Sequence, residues 1–179
     1  MQNQFTNKQL SEVDMFSQWT TPSGVKFQVS SGQNKLSIRF KKLHPDAVTP
    51  TYAKDGDAGL DLTAISKRYA DTFIEYGTGI SIEIPEGYVG LVFPRSSVSK
   101  LEDFYLKNSV GVIDSGYRGE IMLRFNLQLL AEQKSYQSYE VGDKVGQLII
   151  LPYPQIQLEE VEELSSTDRG NGGFGSTGI

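Results

Sequence analysis

The sequence predicts an all-β subunit, a sandwich, jelly roll or barrel. Apolar residues alternate with polar ones in strand-length runs along most of the chain, as a half-buried sheet requires. Pro, Gly, Asp and Asn separate these runs. No segment after residue 35 keeps a helical period for three turns.

Residues 1–34, rich in Gln, Asn, Ser and Thr, read as an appended segment. Ser11 there is placed to cap a short helix carrying Val13, Phe16 and Trp19, with Asp14 in the capping-box position. Strand signals follow. Leu36, Ile38 and Phe40 alternate with Ser37, Arg39 and Lys41; Leu60, Leu62 and Ala64 follow the same period, as do Ile80, Ile82 and Ile84. Next come the apolar run 88–93, a short helix over 98–104, the run 109–113, the alternating Ile121, Leu123, Phe125 and Leu127, and the runs 145–151 and 156–161. The acidic residues Glu159, Glu160, Glu162 and Glu163 read as a solvated strand end that discourages edge pairing. Five of the 18 glycines fall in the last ten residues, a density that cannot support a packed element. The expected organisation is an extension (1–34), a β core (35–163) and a Gly-rich arm (164–179).

Composition narrows the chemistry. With 38% hydrophobic and 22% charged residues over 179 positions, the chain can bury a real core. The absence of cysteine excludes disulfides, zinc–thiolate sites, iron–sulfur clusters and thiol nucleophiles. The single histidine, His44, precedes Pro45 in a polar turn and is a poor candidate for a triad or a metal cage. Polar first residues without a signal-peptide core, and no apolar run near 20 residues, predict a cytoplasmic protein outside the membrane. A net charge of −5 gives no general attraction for nucleic acid, so any polyanion must be held by a local cluster or a metal.

Several segments combine the right groups for phosphate chemistry. Pro94-Arg95-Ser96-Ser97 ends an apolar strand with a guanidinium and two hydroxyls, suited to phosphate oxygens or simply to a capped turn. In Val112-Ile113-Asp114-Ser115-Gly116-Tyr117, a carboxylate follows an apolar strand, where it can activate water or form a hairpin turn. Asp55, Asp57 and Asp61 either hold magnesium through its waters or make turns and a solvent face. Gln147 is a lone amide in an apolar strand. The tail Arg169 to Gly178 contains G-x-G-x-x-G without the strand and helix that dinucleotide binding needs; it is a frayed terminus or a phosphate end with one aromatic, Phe174.

Taken in order, Asp-Ala-Gly-Leu-Asp-Leu (57–62), Pro-Arg-Ser-Ser (94–97), Gly-Val-Ile-Asp-Ser-Gly-Tyr-Arg-Gly-Glu-Ile (111–121), Gly-Asp-Lys-Val-Gly-Gln-Leu-Ile (142–149) and Arg-Gly-Asn-Gly-Gly-Phe-Gly-Ser-Thr-Gly (169–178) resemble the five motifs of the trimeric dUTP pyrophosphatases. The resemblance spans residues 35–179. It implies a distorted jelly-roll (β-clip) subunit, a homotrimer with active sites at subunit interfaces, Mg²⁺ dependence, and cleavage of dUTP to dUMP and pyrophosphate, which keeps uracil out of DNA and supplies dUMP. By this resemblance Asp114 activates the water, Tyr117 packs under the deoxyribose, and Asn108 begins the uracil-reading hairpin. Arg95, Ser96, Ser97 and Gln147 belong to the phosphate set, with Asp61 placing magnesium through water. In an arm that closes over the site, Arg169 matches a γ-phosphate ligand, Phe174 the ring over uracil, and Gly175, Ser176 and Thr177 further substrate contacts.

Gly116, Leu60, Ser97 and Gly146 depart from the commoner pattern without removing a catalytic group. The extension has no counterpart in the family's compact form, so a protein partner bound through residues 1–34 stays open. Two other readings are a dCTP deaminase, which shares Arg-Ser-Ser, and a module that senses the nucleotide without cleaving it.

Overall fold

The computed structural model describes residues 16–20, 26–30, 36–101, 104–126 and 137–173. Eleven strands and one short 3-10 turn make up its regular structure. The backbone divides into two compact units, 1–39 and 40–179. The first contains a hairpin of β1 (Phe16–Thr20) and β2 (Lys26–Ser30), with Trp19 opposite Phe27. The helix expected from Val13, Phe16 and Trp19 is therefore corrected over 16–20. Aromatic and β-branched residues suit a strand as well as a helix face, and a partner strand decides between them. Ser11, Val13 and Asp14 lie outside the described residues.

The second unit is a distorted jelly roll. β10 (Met122–Asn126), β6 (Phe73–Gly77) and β5 (Ser66–Tyr69) form one antiparallel sheet. β4 (Leu60–Thr63), β11 (Lys144–Pro152), β8 (Tyr88–Phe93) and β9 (Gly111–Ile113) form another, in that order. A small sheet pairs β3 (Arg39–Lys42) with β7 (Ile80–Glu83). The two larger sheets meet where Leu123 of β10 lies over Gly146 of β11, so close that a Cβ on Gly146 would press on its methyl group. Leu62, Ile74, Ile82, Val92, Leu123, Val145 and Leu148 alternate inward and bury the apolar faces.

At one end of this core four rings lock together. Phe104 stacks on Phe125 at 4.7 Å, and Tyr76 and Tyr139 meet Phe125 edge-on at 5.8 and 5.6 Å. The Tyr76 hydroxyl donates to the Tyr139 carbonyl at 2.8 Å, which satisfies its polar end. Burial pushes the Tyr76 phenol up to about 12, so it stays a neutral donor. Beside it the ammonium of Lys67 is almost buried, bonded to Glu140 at 2.6 Å and Ser138 at 3.0 Å. Burial alone would lower its pKa, but hydrogen bonds with Glu140 and Tyr69 outweigh it and hold the lysine charged.

Three sequence expectations change. The helix over 98–104 is a 3-10 turn, Ser96–Lys100. The strand expected at 36–40 is displaced to Arg39–Lys42, where the partner strand β7 ends the search for register. Residues 156–161 make no strand: the whole stretch is exposed, so the acidic run does not cap a strand end. Alternation at Ile156 and Leu158 finds no partner strand among the described residues.

On the outer face of the three-stranded sheet, Arg68, Glu75 and Arg124 stand in one cross-strand row. Glu75 accepts from Arg68 at 2.8 Å and from Arg124 at 2.7 Å. Burial acts to raise the Glu75 pKa, but the bonds from Arg124 and Arg68 prevail and hold it below the ordinary value of 4.5. A depressed folded-state pKa gives stability that is present above the ordinary value and is lost as pH falls through the folded one. Glu75→Gln is thus expected to be less stable than the parent at neutral pH, and thermal melts between about pH 5 and pH 3 should show a shallower loss in the variant. Parallel acid limbs would mean that the row contributes nothing to acid sensitivity.

Candidate active site

The first group of predicted residues surrounds a cavity of about 580 Å³ lined by Asn108, Ile113, Asp114 and Tyr117, with Phe73, Lys107, Glu120, Met122 and Arg124 completing the wall. A tight turn presents Asn108: Ser109 takes a left-handed φ of 59° and its N–H reaches the Leu106 carbonyl at 3.0 Å. Strand β9 runs from that turn to Ile113 and ends on Asp114. The next turn closes when the Tyr117 N–H bonds the Asp114 carbonyl at 3.0 Å, leaving the Asp114 carboxylate exposed at the cavity wall.

Residues that the sequence did not mark hold this loop. Arg118 donates to the Ser115 and Tyr117 carbonyls at 2.6 and 2.8 Å. Ser81 donates to the Arg118 carbonyl, and Thr78 to that of Ile121, both at 2.7 Å. Glu120 accepts the Gly79 N–H at 2.7 Å. Gly119 has no Cβ to collide with the Tyr117 ring, which lies over it and donates from its hydroxyl to the Glu120 carbonyl at 2.9 Å. Only the spacing Tyr-x-Gly-Glu hints at this in sequence. Ser81 comes from β7 and Thr78 from the turn just before it, about 40 residues earlier in the chain.

The second group assembles around β11. Gln147 stands opposite Asp61 of β4 and Phe93 of β8. Its amide donates to the Pro94 carbonyl at 3.3 Å. Gly59 leaves room for it: a Cβ there would lie 2.7 Å from the Gln147 Oε1. Arg95 reaches the Asp61 carboxylate at 3.4 Å, and the Lys144 ammonium reaches its other oxygen at 2.6 Å. Ser96 is exposed at the start of the 3-10 turn, whereas the Ser97 hydroxyl shares a hydrogen bond with the Tyr139 hydroxyl at 3.1 Å.

The two groups do not converge within one chain. Ile113 pairs with Gly90, so Asp114 leaves the sheet beside the first half of β8, whereas Arg95 and Ser96 follow its last residue. Asp114 thus stands level with Val89, about 13 Å of strand from Phe93, and Arg95 and Ser96 lie farther on. Arg169 is exposed and donates to the Gly172 carbonyl of its own turn at 3.0 Å. Phe174, Gly175, Ser176 and Thr177 lie outside the described residues.

The family model described as dUTPase matches residues 46–178, a range that contains both groups of residues. A deoxyuridine 5'-triphosphate nucleotidohydrolase of Clostridium acetobutylicum is 39% identical over 146 residues, covering 80% of this chain and 98% of its own. The chain belongs to the dUTPase family. A second dUTPase relative of the same name, from Clostridium tetani, is 40% identical over 150 residues, covering 80% of this chain and 98% of its own. Among solved structures, a Staphylococcus bacteriophage 80alpha dUTPase point mutant with dUpNHpp superposes with a TM-score of 0.68 at 27% identity, over 81% of this chain and all of its own. A dUTPase mutant from phage phi11 of S. aureus, described with a structural Mg(II) ion, gives 0.61 at 26% identity, over 72% of this chain and 98% of its own.

For magnesium, the described residues contain no group of three His, Cys, Asp or Glu side chains able to hold an ion directly. Asp57 is a turn former, accepting the Lys54 N–H at 2.9 Å. The donor set present fits an ion that keeps most of its waters better than one caged by protein carboxylates. Among the described residues no helix is long and apolar enough to cross a membrane.

Gly59→Ala should force the Gln147 side chain off Pro94 and destabilise the fold by about 1–3 kcal/mol in denaturant titrations. Gly116→Ala, with open space around it, should be within about 0.5 kcal/mol of the parent. Equal midpoints for the two would show that Gln147 yields without cost.

Proposed function

We propose that this chain hydrolyses dUTP to dUMP and pyrophosphate, with water attacking the α-phosphorus, and that it does so as a homotrimer on the cytoplasmic nucleotide pool. The observation that carries the reading is the dUTPase family match over residues 46–178, a range that includes all five motif segments, joined to a cavity that gathers Asn108, Asp114 and Tyr117. The Asp114 carboxylate acts as general base for the attacking water; the turn closed by the Tyr117 N–H places it at the cavity wall. The Tyr117 ring, pinned through its hydroxyl, offers a flat face under the sugar that leaves no room for a 2′-hydroxyl. The backbone of the Asn108 turn reads the uracil edge, and cytosine is rejected by mispaired donors and acceptors.

Arg95, Ser96 and Gln147 receive the phosphates, with Arg169 and the Gly-rich arm closing over them and Phe174 stacking on the base. Magnesium carried by the triphosphate, with Asp61 against its waters, would neutralise charge on the phosphates. A complete site needs Asp114 of one copy beside Arg95 and Gln147 of another, because in a single chain about 13 Å of β8 separates Asp114 from the level of Gln147, and Arg95 lies farther on. Ile156, Leu158 and Leu164 are each more than four-fifths exposed along 153–164, apolar surface that a neighbouring copy would cover.

Pyrophosphate release measured over a panel of deoxynucleotides, with and without Mg²⁺, should be confined to dUTP; ammonia release from dCTP would instead make the protein a deaminase. Asp114→Asn should lower kcat by roughly two to four orders of magnitude while affinity for dUpNHpp stays within about tenfold. Near-parental kcat would remove Asp114 as the base. Refolding Asp114→Asn together with Arg95→Ala should restore part of the activity that each lacks alone, since mixed trimers contain sites with both groups intact. No recovery, or a fully active monomer in sedimentation, would reject shared sites.

A further inference from the structure

The Asp61 carboxylate is 11% exposed and both of its oxygens are engaged by cations, Arg95 on one and Lys144 on the other. The lysine contact is the shorter, 2.6 Å against 3.4 Å. It depends on an irregularity in the sheet. In β11, Gln147 pairs with Asp61 and Gly146 with Leu62, but Lys144 pairs with Thr63, so the register slips by one residue between Lys144 and Gly146. Without that bulge, Lys144 would stand opposite Ala64 and point to the other side of the sheet. With it, Lys144 shares the face of Thr63 and Asp61 while Val145 stays fully buried. The Lys144 carbonyl also accepts from the Arg95 guanidinium at 3.4 Å, so one bulge sets both cations.

Two cations on one carboxylate leave a net charge of +1 where the triphosphate is to be received. We propose that Lys144 is a positioning residue that stands in for the divalent cation at Asp61: its ammonium holds the carboxylate in the empty enzyme, competes with hydrated Mg²⁺ for it, and supplies the triphosphate with positive charge when no metal is present. This rests on the dUTPase reading above. A merely structural ion pair would add stability and leave the metal dependence of ligand binding unchanged. A stand-in couples the two, because anything that gains Asp61 must displace the lysine.

The test measures binding of dUpNHpp and of dUMP to the full chain by calorimetry across a magnesium series, for the parent, Lys144→Met and Lys144→Arg, with thermal melts to establish folding. In Lys144→Met, metal-free dUpNHpp affinity should fall about tenfold, the magnesium concentration giving half-maximal enhancement should fall about threefold or more, and affinity at saturating magnesium should lie within about threefold of the parent. Lys144→Arg should restore metal-free affinity, and dUMP, which lacks the outer phosphates, should bind all three proteins within about twofold. Metal-free affinity unchanged in Lys144→Met, or a magnesium midpoint unchanged or raised, overturns the proposal even if the parent hydrolyses dUTP normally. A folded parent that neither binds dUpNHpp nor cleaves dUTP overturns the dUTPase reading and this inference with it.

Discussion

Strand β11 is paired on both edges, to β4 and to β8, and the placement of Asp61, Arg95 and Gln147 depends on that double register. Gln147 faces Asp61 across one ladder and Phe93 across the other. Because side chains alternate with a period of two, a slip of one residue in either ladder would send Gln147 into the core and bring an aliphatic residue out. The buried Val145 and Leu148 prevent such a slip, since each would have to leave a fully enclosed position. Packing of these apolar side chains thus decides where a carboxylate, a guanidinium and an amide meet. The bulge ahead of Gln147 breaks the alternation once, at the point where a lysine is turned toward the acid.

An acidic protein that receives a polyanion meets unfavourable long-range electrostatics, with a net charge of −5 against a triphosphate. The structure answers locally. Arg95 and Lys144 cluster on a single carboxylate at the strand end, while the acids Glu159, Glu160, Glu162 and Glu163 lie exposed on a separate stretch with no strand partner. Screening at physiological salt extends over about 8 Å, so neighbours within contact distance govern the site more than total charge does. The cavity beside Asp114 is built differently. Its loop is held by hydrogen bonds to backbone carbonyls from Arg118, Ser81 and Thr78 and by Glu120 on Gly79. Such a loop can keep a carboxylate in place without pairing it to a nearby cation.

The alternation of apolar residues and the turn chemistry between them carried the all-β class, and β8 follows its expected run over 88–93. Motif order carried the family, because the motifs are short runs of successive residues around turn glycines and strand ends. Local pattern misled where a partner strand decides the outcome. Phe16 and Trp19 fit a helical face yet pair in a hairpin, and Ile156 and Leu158 alternate yet join no strand among the described residues.

Contacts between distant segments were illegible beforehand. Lys144 follows a turn aspartate, as many solvated lysines do, and only a bulged register against β4 brings it to Asp61 across 83 residues. Ser97 reads as a phosphate hydroxyl beside Ser96, but the position of Tyr139 in the ring cluster draws its oxygen inward. Gly59 matters through the space it leaves for Gln147, a neighbour 88 positions later. Local propensity and motif spacing are properties of a few successive residues, so they survive in the sequence; register, bulges and side-chain pairing are set by the closing of the core, which sums interactions over the whole chain.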